Sequence, residues 1–147
     1  MTTHDKAHED RVDPLDPVAQ YLATRGVSAE IRARGLRGIV AQWEAIAGSA
    51  ARYDLTLDDW LNDLDLRDII AGAVTAAPEH ERRAILDLLA RADELFRTAT
   101  VETKQSLWGD AVASADKHCA RQQWWYFRHP AHPGETMRAD LTAAGIP

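Results

Sequence analysis

The sequence predicts an all-α fold, a compact bundle of about five helices that ends in an extended segment rich in aromatic residues and proline. Three observations support this. Apolar residues recur at helical spacing over most of the chain, capping residues precede the apolar runs, and an aromatic block followed by prolines closes the chain. The 147 residues are 46% hydrophobic and 27% charged, with eight Gly and six Pro, which is typical of a globular domain rather than a disordered or collagen-like chain.

The first two predicted helices follow clear start signals. Asp16 and Pro17 begin a short helix, with proline at its first position. Ser28 is the expected N-cap of the second helix. Within that helix, Gly35 and Gly38 each cost about 1 kcal/mol relative to alanine. They predict either a break near this point or a close helix crossing.

The next two predicted helices supply most of the core. Thr56 and Asp59 form a relative of the capping box that begins the third helix. Its apolar stripe slips near Asp65, where we expect a kink or a new helix. Pro78 opens the most regular helix of the chain, and a moderate helix is expected after Gly109. The predicted core residues are Trp43, Trp60, Leu64, Ile70, Ile85, Leu89 and Phe96.

Charge, cysteine content and the length of the apolar runs disfavour several function classes. The formal net charge is −6, so the chain lacks the positive field that general nucleic-acid or membrane-surface binding requires. The single cysteine, Cys119, cannot form an internal disulfide, which favours the cytoplasm, and no apolar run reaches the roughly 18 residues that span a bilayer. Residues 1–13 are predicted to be a flexible tail, and residues 14–147 a single helical domain.

Four consecutive aromatic residues, Trp124 to Phe127, are the most informative feature of the sequence. As a strand they would alternate between two faces, and as a helix they would spread around the axis, so one amphipathic element cannot bury all four. Either the rest of the chain covers them or an aromatic side chain stays exposed. Tryptophan, tyrosine and arginine together are typical of interface hot spots. The candidate partner-binding residues here are Arg121, Trp124, Trp125, Tyr126 and Arg128.

The third predicted helix has an acidic face. The run DLTLDDWLNDLDLRD contains six aspartates and one arginine. Asp59 and Asp63 would be neighbours on the helix, an unfavourable arrangement unless a cation or a basic partner meets them. Alternatively, these aspartates are caps and solvated surface. Their spacing does not match a calcium-binding loop, so we predict no metal and no cofactor. We take Asp58, Asp59 and Asp63 as candidate partner-binding residues.

Two other function classes remain open. A small metal-dependent or Cys/His-dependent hydrolase would draw its site from His118, Cys119, His129, His132 and a carboxylate such as Asp63. The sequence contains no nucleophile elbow, phosphate-binding loop or dinucleotide fingerprint, and a lone cysteine at an apolar helical position is expected to be buried. A single-stranded nucleic-acid binder would use the aromatic block with its arginines, and we disfavour it because of the net charge.

The runs Trp60–Arg67 and Trp124–Arg128 resemble segments of small bacterial proteins of unknown function. The resemblance covers two short segments and implies no activity or site residue. We therefore expect a noncatalytic interaction protein of the bacterial cytoplasm, immunity- or adaptor-like. It would bind a protein partner through the acidic helix, the aromatic–arginine segment or both, and the sequence does not predict its oligomeric state.

Overall fold

The computed structural model describes residues 16–116 and 119–147, so the predicted tail lies outside the described residues. Within them the chain forms an all-α bundle, as predicted, with one small antiparallel sheet in which Val101 lies opposite His129. The elements in order are α1 (Pro17–Thr24), α2 (Ala29–Ser49), a 3-10 turn (Ala50–Arg52), α3 (Leu57–Ala76), α4 (Glu79–Thr98), β1 (Thr100–Glu102), α5 (Asp110–Ala115), a second 3-10 turn (Trp124–Phe127), β2 (Arg128–Pro130) and α6 (Glu135–Ala143).

The predicted helix starts are confirmed. The Asp16 side chain accepts hydrogen bonds from two backbone amides at the start of α1, and the Ser28 hydroxyl accepts one at the start of α2. At the start of α3, Thr56 and Asp59 make both bonds of a capping box. These bonds satisfy amide groups that would otherwise have no partner within the helix. Each start is therefore fixed by side chains close by in the sequence.

The two predicted helix breaks have different outcomes. Gly35 interrupts α2 with a φ of 68° and a ψ of −168°, which confirms the break. The kink expected near Asp65 is wrong, because α3 runs unbroken from Leu57 to Ala76. The helix is packed on more than one side: α1 and α2 contact it, and so do the second 3-10 turn and α6. The two apolar stripes of α3 therefore pack against different elements, and the helix does not need to bend between them.

All seven predicted core residues are buried. The ring centroid of Phe96 lies 4.7 Å from that of Trp43 and 5.5 Å from that of Trp60, so these rings pack as one cluster. The indole nitrogen of Trp60 donates a hydrogen bond of 3.1 Å to the carbonyl oxygen of Arg128. Helices α3 and α4 are thereby joined to the C-terminal segment.

Each helix in the described part of the chain is too short or too polar to span a bilayer.

The aromatic block is wound rather than extended. Trp124–Phe127 forms the second 3-10 turn, and only Arg128–Pro130 is a strand. The turn directs three of the four side chains into the bundle, where Trp125, Tyr126 and Phe127 are buried. The extended form expected for the whole segment is therefore confined to β2.

Candidate functional site

Trp124 is the only one of the four consecutive rings that remains partly exposed. Trp125 and Tyr126 expose just 2% and 3% of their surface, so these two candidate residues present no ring to a partner. Trp124 packs on the core through Phe96, with ring centroids 5.9 Å apart. Trp125 also contacts Trp124, with ring centroids 5.7 Å apart, so only a minor part of the Trp124 surface is exposed.

Arg97 covers part of the Trp124 ring. Its guanidinium carbon lies 4.0 Å from the ring centroid, within the range of a cation–π interaction. Arg97 is exposed in the last turn of α4, and no carboxylate in residues 16–116 or 119–147 forms an ion pair with it. The arginine is thus held on an aromatic ring while its hydrogen-bond donors lack an acidic partner. We call Arg97, Trp124 and Arg128 the aromatic–arginine surface.

Arg128 anchors this surface to the end of α4. Its Nε donates a 2.7 Å hydrogen bond to Oγ1 of Thr100, and one terminal nitrogen donates to the carbonyl oxygens of Arg97 and Thr100, at 3.2 and 3.1 Å. Partial burial lowers the pKa of Arg128, Glu102 opposes this shift, and the positive charge of Arg97 adds to it. Two like charges are therefore held close together, although the attraction of Arg128 to Glu102 outweighs its repulsion from Arg97. Arg121, the remaining candidate base, is exposed in the preceding loop.

Arg67 supports the surface from inside the bundle. Its guanidinium carbon lies 4.6 Å from the ring centroid of Trp125 and 5.9 Å from that of Trp124. Its Nε and one terminal nitrogen donate to the two carboxylate oxygens of Asp93, at 2.8 and 2.9 Å. Sequence reasoning did not select Arg67, although its position as the one base in the acidic run is a usable signal. It did not select Arg97 either, which carries no comparable local signal.

The aspartates of α3 are largely engaged within the chain. Asp59 belongs to the capping box, Asp63 accepts a 2.8 Å bond from the Tyr53 hydroxyl, and Asp68 pairs with Arg25 at 3.2 Å. Burial raises the pKa of Asp63, the bond from Tyr53 lowers it, and the charge of Asp59 raises it further. The same chain therefore supplies hydrogen-bond donors or a positive charge to most of these aspartates, without a partner protein. Asp58 remains exposed.

Within residues 16–116 and 119–147, the residues of the hydrolase alternative are not gathered into a metal site. His118 lies outside the described residues, and no group of three or more His, Cys, Asp or Glu side chains in the described part could hold a metal ion. The expected burial of Cys119 is wrong: α5 ends at Ala115, so Cys119 lies beyond the helix and is exposed. Backbone hydrogen bonds from Arg121 and Gln122 lower the pKa of its thiol.

Neither a protein-family model, nor a curated protein, nor a solved structure matches the sequence. Function is therefore inferred from the geometry of the described residues.

Proposed function

We propose that the chain is a noncatalytic protein-interaction module of the bacterial cytoplasm, and that its aromatic–arginine surface binds an acidic segment of a partner protein. One observation carries the proposal: the exposed Arg97 guanidinium is held 4.0 Å from the Trp124 ring centroid and has no acidic partner in the described part of the chain. A partner carboxylate would accept hydrogen bonds from Arg97, and an adjacent apolar side chain would pack on the open part of Trp124.

The anchors of this surface are held in place before any partner binds. Trp124 rests on Phe96, and its neighbour Trp125 is fixed in the core. Arg128 holds the end of α4 against the start of β2 through the bonds described above. Side chains that are already ordered lose little conformational entropy on binding. A small number of contacts can therefore give a higher affinity than the same contacts made by mobile side chains.

A protein partner fits this surface better than a single-stranded nucleic acid. Proteins that bind single strands stack successive bases on several aromatic rings along a basic groove. Here only Trp124 of the four rings is accessible, and the chain carries a net charge of −6. One accessible ring flanked by arginines is instead suited to a single contact point, where a partner protein would place one carboxylate and one adjacent apolar side chain.

Selection from a random-peptide display library tests the proposal directly, because the partner does not have to be identified first. With the full chain immobilised, we expect enrichment of peptides that place Asp or Glu beside an apolar residue. Arg97→Gln should weaken binding of a selected peptide by about tenfold or more, the loss expected for a charged hot-spot side chain.

Arg83→Gln is the matched control. Arg83 is also an exposed arginine on α4, but it pairs with Glu79 at 2.7 Å on another part of the helix. This variant should bind the selected peptide as the wild type does. Equal binding by the wild type and Arg97→Gln, or selection of peptides without acidic residues, would overturn the proposal. Tight, salt-sensitive binding of oligothymidylate that competes with the peptide would instead favour a nucleic-acid partner.

A further inference from the structure

A second concave site lies away from the aromatic–arginine surface, where the loop between α1 and α2 meets α3. It has a volume of about 320 Å³. Its apolar wall consists of the buried side chain of Ile39 and four partly buried aliphatic side chains: Val27, Ile31, Leu66 and Ile69. Small-molecule sites typically combine such a wall with a few polar groups, in pockets of about 300–1,000 Å³. We call this site the loop pocket.

The polar side of the loop pocket includes Asn62 and Asp65. They are three residues apart on α3 and so lie on the same side of the helix. Oδ1 of Asp65 accepts a 2.5 Å hydrogen bond from the Tyr126 hydroxyl, and the carboxylate also interacts with the Trp108 side chain. A carboxylate offers about four acceptor positions, so Asp65 retains capacity for another donor.

The cation at the edge of the loop pocket is already engaged. One terminal nitrogen of Arg25 donates to Oδ2 of Asp68 at 3.2 Å, and the other donates to the Tyr21 hydroxyl at 2.8 Å. The charge of Arg25 also acts on Asp65, but both terminal nitrogens of Arg25 are bonded elsewhere, so the remaining acceptor positions of the Asp65 carboxylate are left for a ligand. The net charge of −6 further favours a cation over an anion.

We propose that the loop pocket binds a small primary amine with an aliphatic body. The ammonium group donates hydrogen bonds to the Asp65 carboxylate and to Oδ1 of Asn62, and the hydrocarbon chain packs against Val27, Ile31 and Ile69. This site is independent of the proposed partner surface, so either proposal can fail without the other.

Amide NMR spectra of the ¹⁵N-labelled full chain, recorded during titration with n-pentylammonium chloride at constant ionic strength, test this inference. We expect saturable shifts confined to amides lining the loop pocket and the adjoining turns of α2 and α3. 1-Pentanol has a similar shape but no charge, and it should bind about tenfold more weakly or less, because it lacks the charge-assisted bond.

Two variants separate the polar and apolar contributions. Asp65→Asn keeps an acceptor for Tyr126 but removes the charge, and it should weaken amine binding about tenfold. Leu66→Phe narrows the pocket, keeps Asp65 and should also weaken binding. The control is Asp87→Asn, which removes an exposed carboxylate on α4 and should leave the affinity unchanged. Shifts spread over many surface carboxylates, equal binding of amine and alcohol, or unchanged binding by Asp65→Asn and Leu66→Phe would overturn the inference.

Discussion

Arg67 and Asp93 form a two-pronged ion pair inside the bundle, with nitrogen–oxygen distances of 2.8 and 2.9 Å. Both side chains are almost fully buried, at 9% and 11% exposure. The indole nitrogen of Trp43 donates a further 2.9 Å bond to the same Asp93 carboxylate. The pair joins α3 to α4 and lies beneath Trp125 and Trp124, so it connects the core to the proposed partner surface.

Removing one member of this pair should strongly destabilise the protein. Arg67→Met or Asp93→Leu leaves the other charge buried without its ionic partner, and we expect a loss of about 3–5 kcal/mol in the free energy of unfolding. The loss of unfolding free energy in the double variant should be clearly smaller than the sum of the losses in the two single variants, because the double variant leaves no unpaired charge. Urea unfolding monitored by tryptophan fluorescence measures all three variants. Strict additivity would show that the two residues do not stabilise each other.

Two glycines of α2 should respond in opposite ways to alanine. Gly35 has a φ of 68°, which an L side chain adopts with strain, so Gly35→Ala should lower the free energy of unfolding by about 1–2 kcal/mol. Gly48 is exposed, and an added Cβ would meet no atom within 4 Å. Gly48→Ala should therefore raise stability by up to about 1 kcal/mol. Denaturant midpoints at constant m-value test both, and a stabilising Gly35→Ala would contradict the observed break.

Stability should fall in alkaline solution because of two tyrosines. Burial raises the pKa of Tyr53 and of Tyr126, and their hydrogen bonds to Asp63 and Asp65 add to the shift. Above about pH 10, the usual tyrosine pKa, the unfolded chain loses these protons while the folded chain retains them, so the free energy of unfolding decreases as pH rises.

The double variant Tyr53→Phe/Tyr126→Phe should show a shallower decrease in the free energy of unfolding between about pH 9 and 11. Tyr21→Phe serves as the control, since it leaves both of those buried tyrosines in place. Parallel pH profiles for the wild type and the double variant would show that neither tyrosine contributes to the loss.

Local signals in the sequence account for much of the fold. Asp16, Ser28 and Thr56 each bond to amides two or three residues away, so a short window contains all the information needed. The continuous course of α3 through Asp65 could not be predicted in this way. It depends on packing against several elements at once, among them the second 3-10 turn, which lies far along the chain.

The candidate site was predictable only in part. The aromatic block and its arginines were evident, but which ring stays accessible depends on the 3-10 turn and on the pairing of β1 with β2. That pairing also brings Arg128 to the end of α4, where Arg97 meets Trp124. Such contacts between residues distant in sequence leave no periodic pattern.

The most direct test of the partner surface is a comparison of dissociation constants for one selected acidic peptide across two sets of variants. The first set changes the aromatic–arginine surface through Arg97→Gln, and the second changes the acidic helix through Asp58→Asn and Asp63→Asn. We expect Kd to rise about tenfold or more in the first set and to change less than about twofold in the second. A rise in Kd only in the second set would contradict the account and would indicate that the acidic helix is the contact surface.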